Sequence, residues 1–400
     1  RPLEPEEIPI LKALDRVLAE EVTAPMDIPP LPNTAMDGYA VRIADIQGAT
    51  PEAPRRLRII ADLAAGYTSD QAVEPGTAIR IMTGAPVPPG TEAVVEFEKT
   101  HREGNWVEIY QEVKPGRNVR QAGEDVKAGE VVLPAGKLLR PQEIGMLAAL
   151  GRARVHVYRR PRVAILATGD EVIDIEDPWQ PGKIRNANSY SNAAQVWKYG
   201  GIPILLGIAR DVKEDLSTRI RQGLEQKADL ILTSGGVSVG DFDVVKEVLA
   251  TEGEIRFWRV RMKPGKPLAF GRIQDVPLLG LPGNPVSAMV SFELFVRPAI
   301  LTMLGKTRLL KPTVEAILAD PIKRKDDRRH YMRVTLSTED GQRIARLTGD
   351  QGSGILRSMV AADGLAIIPE EVDHLPAGSR VQVMILDWPE VESTSSHPCA

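Results

Sequence analysis

TSGGVSVGD (233–241) follows the apolar run ADLIL (228–232) and precedes DVVKEVLA (243–250), whose apolar spacing is helical. A strand that hands over to a helix through two adjacent glycines is a turn built for close approach. Gly235 and Gly236 tolerate positive φ, so successive amides can point at one anion, and the following helix adds its positive end. Ser234 and Ser238 supply further donors. The loop lacks the GK[ST] of a P-loop and the GxGxxG spacing of a dinucleotide fold. Asp241, which closes it, carries the wrong sign for a phosphate; read by itself it is an N-cap.

Outward from this loop the chain alternates. RVAILATG (162–169), IPILLGIARD (202–211) and ADLILTSGG (228–236) read as buried strands, and SYSNAAQVWKYG (189–200) and KEDLSTRIRQGLEQ (213–226) as the helices between them. DFDVVKEVLATEG (241–253) is expected to be helical. Strands follow at IRFWRV (255–260), PLAFGRI (267–273) and VPLLGLP (276–282), and a helix at VSAMVSFELFVRPAILTML (286–304). Such alternation implies right-handed βαβ units and a mostly parallel sheet covered on both faces, with ligands beyond the carboxyl ends of the strands.

Five loops fall on that edge: ATGDEV (167–172), IARD (208–211), TSGGVSVGDFD (233–243), KPGKP (263–267) and LPGNPVS (281–287). KPGKP sets Lys263 and Lys266 around a rigid turn as two point charges for a dianion. LPGNPVS fixes a turn with Pro282 and Pro285 and offers Asn284 and Ser287 at a helix start. Glu171, Asp211, Asp241 and Asp243 lie on the same loops, where they would repel a phosphate unless a cation such as Mg²⁺ intervened. Taken one at a time these acids read equally well as helix caps or solvated side chains.

The flanking sequence is different. Residues 6–21 (EEIPILKALDRVLAEE) place Ile10, Leu11, Leu14, Val17 and Leu18 on one helical face, predicting an amphipathic helix. Short β-type runs at 56–63, 76–82, 92–98 and 105–110, separated by Gly and Pro, predict a small β domain over 41–115. Residues 1–40 and 116–160 form a mixed N-terminal domain, 161–310 the α/β domain, and 311–390 a C-terminal β domain with an EDGQ turn (339–342). VESTSSHPCA (391–400) reads as a disordered tail.

Composition excludes several classes. Hydrophobic content of 43% and charged content of 26% are those of a globular protein, and a net charge of -4 offers no general attraction to nucleic acid or anionic membrane. No stretch is expected to span a bilayer. The sole cysteine, Cys399, rules out a disulfide framework and fits a reducing, cytoplasmic setting. The chain starts at Arg1 and so reads as trimmed, a removed leader remaining compatible with it. The five histidines are scattered without metal-ligand spacing, and no Ser-His-Asp set assembles.

Read together, NTAMDGYAV (33–41), MTGAPVPPG (82–90), GEDVKAG (123–129), LATGDEV (166–172), TSGGVSVGD, KPGKP and LPGNPVSA resemble, in this order, the molybdopterin molybdenumtransferases, MoeA-type enzymes related to the gephyrin E domain. The resemblance runs over about 1–388. It implies insertion of molybdate into adenylylated molybdopterin with release of AMP and with Mg²⁺ or another divalent ion. It also implies an elongated homodimer of four-domain subunits around a molybdopterin-binding-like α/β sandwich, the cleft completed by the partner's second domain, and possible cooperation with the pathway's adenylyltransferase. Family positions important for activity carry over onto Asp37, Thr83, Asp125, Glu171 and Asp211, with Asp211, Asp241 and Asp243 as metal candidates. Substrate contacts fall on Ser234, Gly235, Gly236, Ser238, Lys263, Lys266, Pro282, Asn284, Pro285 and Ser287. Oxyanion contacts fall on Arg328 or Arg333 and on Ser353. Two positions depart from the family pattern: Asn186, where many relatives carry aspartate, and Asp363, where asparagine is common. A single-domain molybdopterin adenylyltransferase and a gephyrin-like scaffold are the competing readings, and tungstate competes with molybdate as the oxyanion.

Overall fold

The computed structural model describes residues 1–236, 248, 253–324 and 326–387. The predicted helix over 241–253, apart from Val248 and Gly253, and the predicted tail lie outside the described residues, as do Ser238, Asp241 and Asp243. The chain divides into two compact units, 7–157 and a second made of 1–6 with 158–400.

The first unit carries a six-stranded sheet. Its strands are β1 (Gly38–Val41), β2 (Arg55–Leu63), β3 (Thr77–Ile81), β4 (Ala93–Glu96), β5 (Thr100–Glu103) and β6 (Trp106–Ile109), in the order β4-β1-β3-β2-β6-β5. Tyr39, Val41, Val95, Val107 and Ile109 fill one face. Ile79, Ile81 and Val94 fill the other. At Gly38 a Cβ would lie 2.1 Å from the Val95 carbonyl oxygen, so the β1–β4 pairing depends on that glycine.

The expected helix over 6–21 does not form. Pro5–Pro9 is a strand, Ile10–Lys12 a single 3-10 turn, and Asp15 takes φ 62°. Proline inside the segment removes a helical hydrogen bond, and the backbone turns to longer-range partners instead. Leu18 N donates to Lys137 O, and Ala19 N to His156 O, each at 2.9 Å. Ala13, Leu18 and Val22 still bury their apolar groups, against Leu139, Leu147 and Val157, around helix α1 (Pro141–Ala149). Of the five residues expected on the helical face, Val17 and Leu18 are buried and Ile10 half-buried, whereas Leu11 and Leu14 are exposed, so the periodicity fails in geometry and in part of its burial.

The second unit begins with an α/β sheet. Strands β7 (Arg162–Thr168), β8 (Ile202–Ala209), β9 (Leu230–Ser234), β10 (Gly253–Arg259), β11 (Pro267–Ile273) and β12 (Val276–Leu281) lie in the order β8-β7-β9-β12-β11-β10. β8, β7, β9 and β12 are mutually parallel, whereas β11 and β10 add antiparallel. Helix α2 (Ala187–Lys198) and the helix from α4 (Pro285–Ser291) through a π turn (Phe292–Val296) to α5 (Arg297–Met303) cover one face. α3 (Lys213–Glu225) covers the other through Leu216 and Ile220. The Pro285–Met303 helix is long and apolar enough to cross a membrane, contrary to the reading of the sequence. Its apolar stripe of Ala288, Phe292, Val296 and Ile300 is the core of this sheet.

Five strands of the C-terminal region close on themselves, with the short strand Met262–Lys263 added on one of them. β13 (Thr313–Leu318), β14 (Arg329–Glu339), β15 (Gln342–Leu347), β16 (Gly364–Ile368) and β17 (Arg380–Ile385) run β14-β15-β13-β17-β16 and back to β14. Closure removes the free edges. Asp363 accepts from Leu336 N at 2.7 Å, so its carboxylate fastens this barrel.

Candidate functional site

At the carboxyl ends of β7, β9 and β12 lies a cleft of about 600 Å³, the size of a small-molecule site. Its floor is Thr168, Ser234, Gly235 and Gly236; one wall is Asn186–Asn188 and the other Pro282–Pro285. Gly235 takes φ +94° and Gly236 φ +62°, and a Cβ on Gly235 would stand 2.7 Å from Thr168 O. Glycine is therefore required where the strand turns into the loop.

Two helix N-termini open on this cleft. α2 starts at Ala187, where Asn186 accepts from Ser189 N at 3.1 Å. α4 starts at Pro285, and Asn188 Nδ2 donates to Gly283 O at 2.7 Å, locking the two starts together. The positive ends of both helices face the same space, which suits an anionic ligand. The hydroxyl of Ser234, 3% exposed, and Asn188 Oδ1 have no hydrogen-bond partner among the described residues. Buried polar atoms of this kind are held for a ligand or for water.

Of the residues expected at the site, Glu171, Ser234, Gly235, Gly236, Pro282, Asn284 and Pro285 line the cleft. Glu171 folds back over Gly169, where a Cβ would meet its carboxylate at 2.6 Å. Asp211 lies on the next loop: Asp170 N donates to it at 3.4 Å, and its own N donates to Asp170 at 3.3 Å. Lys263 and Lys266 are exposed on the turn after β10, the latter beside the lining residue Pro267. Ser287 is buried in α4. Ser353 O accepts from Val286 N at 3.2 Å, and the neighbouring Gly354 lines the cleft.

The two arginines differ. Arg328 is partly exposed and bonds Asp326 at 2.8 Å. Arg333 is 1% exposed; it donates to Ser358 Oγ at 3.0 Å and to the carbonyls of Asp350 and Gly352 at 3.2 and 3.0 Å. Burial pulls its guanidinium pKa down. Its role in the structure is to brace the 349–354 loop.

In the 7–157 unit, Asp37 accepts from Thr83 N and Thr83 Oγ1, each at 2.7 Å. The backbone N–H, then the hydroxyl, hold its carboxyl below the usual aspartate range. Asp125 lines a separate hollow of about 470 Å³ with Asn33, Arg120 and Glu124. Sequence reasoning passed over Thr168, Arg185 and Asn188 as lining residues; the capping signal NANS, which starts α2 on the cleft, could have found Asn188.

The fold thus defines a multidomain protein with a cleft of small-molecule size at the carboxyl edge of its α/β sheet. Residues 1–151 match the MoeA N-terminal region (domain I and II), 164–302 the probable molybdopterin binding domain, and 315–386 the MoeA C-terminal region (domain IV). The chain is 39% identical to molybdopterin molybdenumtransferase 2 of Mycobacterium tuberculosis, over 96% of this chain and 95% of that one. It is 38% identical to the molybdopterin molybdenumtransferase of a Nostoc species, over 95% and 88%. Its structure is similar to the molybdopterin biosynthesis MoeA protein of Pyrococcus horikosii, with TM-score 0.83 and 33% identity over 96% and 95% of the two chains. The chain belongs to the MoeA family, the molybdopterin molybdenumtransferases, transferases of molybdenum cofactor biosynthesis.

Proposed function

We propose that this chain inserts molybdate into adenylylated molybdopterin and releases AMP. The observation that carries the reading is the convergence of two helix N-termini and the Gly235–Gly236 turn on one cleft. That cleft would hold the phosphates of the pterin substrate. Lys263, Lys266 and Arg328 would hold the tetrahedral oxyanion beside the dithiolene, so that the protein contributes positioning and charge neutralisation rather than a covalent nucleophile. A single-domain adenylyltransferase is disfavoured because the family match extends over the flanking regions as well.

The acids fit a divalent ion of one kind. Asp170 and Asp211 are exposed on adjoining loops, a pair of carboxylates such as Mg²⁺ takes while phosphate oxygens and waters complete its shell. Among the described residues no three His, Cys, Asp or Glu side chains gather as a protein cage. When bound, the ion would neutralise the phosphates. Asp211 and Asp170, with Asp241 or Asp243, would hold it. Substitution of Asp211 or Asp241 by asparagine should abolish metal-dependent AMP release with the fold intact; full activity of both variants removes the metal assignment. A homodimer, in which Asp37, Thr83 and Asp125 serve the reaction, is part of the reading, and analytical ultracentrifugation tests it.

A further inference from the structure

Asp326 stands outside every motif singled out in the sequence, yet it gathers the cations assigned to the oxyanion. Its Oδ2 accepts from Arg328 Nη2 at 2.8 Å and lies 3.8 Å from Lys263 Nζ. Two positive side chains from different segments therefore meet at one carboxylate oxygen. Its Oδ1 accepts from Arg328 N at 3.2 Å and lies 2.8 Å from His330 Nε2. The His330 side chain is 6% exposed and so cannot swing away.

The backbone enforces the same meeting. Met262 and Lys263 pair in parallel with Arg329 and His330, placing KPGKP against the start of β14. Arg329 N donates to Arg261 O at 2.9 Å, and Arg261 Nη2 donates to the Asp327 carbonyl and carboxylate at the same distance. The segment 326–330 is thus fastened to 261–263, and Asp326 is its one side chain that touches both Lys263 and Arg328. Without that carboxylate the two cations would repel each other, and each has a long flexible stem.

We propose that Asp326, braced by His330, is the positioning residue of the oxyanion site: it holds Lys263 and Arg328 convergent so that both meet one tetrahedral dianion. This rests on the assignment of those two cations to molybdate. Asp326 acts through Lys263 and Arg328, and its loss disorders them rather than removing them.

The test is steady-state kinetics of AMP release with molybdate varied, on the full chain. Lys263→Ala and Arg328→Ala come first; if neither raises the KM for molybdate, the oxyanion assignment itself fails. If they do, Asp326→Asn should raise that KM about tenfold, equivalent to one ion-pair-sized loss. The KM for the pterin substrate and kcat should hold, and Asp326→Glu should recover most of the effect. In the Lys263→Ala background Asp326→Asn should raise that KM by less than it does alone, the remaining effect coming through Arg328, since coupled residues are not additive. An unchanged or lowered KM for molybdate, or full additivity with Lys263→Ala, overturns the proposal. If Asp326→Asn fails to fold, the pair Asp326→Glu and His330→Gln decides it: the former should keep a near-normal molybdate KM and the latter raise it, and equal KM values overturn it.

Discussion

Gly235→Ala places one methyl group at the floor of the cleft. Gly235 has φ +94°, a conformation that costs an L-residue about 1–3 kcal/mol. The new Cβ would lie 2.7 Å from Thr168 O and 2.8 Å from Thr168 Oγ1, well inside van der Waals contact. Thr168 is the last residue of central strand β7 and 4% exposed, so it has no solvent to move into. Overpacking of this kind costs a further 1–3 kcal/mol, for a combined loss of about 2–6 kcal/mol. That is a large share of the 5–15 kcal/mol that holds a typical domain together. Urea denaturation followed by tryptophan fluorescence should show the midpoint of the 158–400 unit falling while the 7–157 unit holds. AMP release should drop further than stability alone accounts for, because relief of the contact pushes the Gly235–Gly236 amides out of line. A variant with parental stability and turnover would refute the requirement for glycine here and, with it, the reading of this turn as a close-approach surface.

Three other outcomes are expected. Thr83→Val removes the hydroxyl donor to Asp37 but keeps the backbone one; the Asp37 pKa, followed by carboxyl NMR, should move up toward its ordinary value. Because that folded pKa is depressed, its contribution is present above the unfolded value and lost as pH falls, and the variant should lose it at a higher pH. The Glu143 pKa is held at about 2 by Arg140, whose guanidinium and N–H both bind its carboxylate at the start of α1. Its stabilisation is complete above its ordinary 4.5 and disappears toward 2, so Glu143→Gln should flatten acid unfolding of the 7–157 unit in that window. Lys311 and Glu293 are 7% and 5% exposed and 3.3 Å apart. Lys311→Met leaves a buried carboxylate with Tyr199 and Gln195 as donors among the described residues and should cost about 3 kcal/mol in chemical denaturation, partly recovered by adding Glu293→Gln.

The α/β sheet was legible because its central strands β7 and β9 are buried on both faces and read as unbroken apolar runs, each ending in a Gly-rich loop. ADLILTSGG needed no partner to be recognised. EEIPILKALDRVLAEE was misread because local apolar spacing carries nothing about distant backbone partners: those of Leu18 and Ala19 lie at Lys137 and His156, more than a hundred residues away, and Leu11 and Leu14 of the expected face are exposed. The floor and the PGNP wall of the cleft were readable from glycine and proline chemistry alone. The wall at Asn186–Asn188 was not, since capping asparagines look alike wherever a helix begins. Asp326 was invisible for another reason: in RKDDRRH it is one acid among several charges, and only the pairing of 262–263 with 329–330 gives it Lys263 as a neighbour.

The most direct measurement follows molybdenum and AMP together in a single incubation of the purified chain with adenylylated molybdopterin, molybdate and Mg²⁺. One molybdenum atom should enter the pterin for each AMP released, and omission of molybdate should stop insertion and its matching AMP. Pterin that stays metal-free, or adenylylation of free molybdopterin from ATP in place of AMP release, would contradict the assignment of this cleft to molybdate insertion.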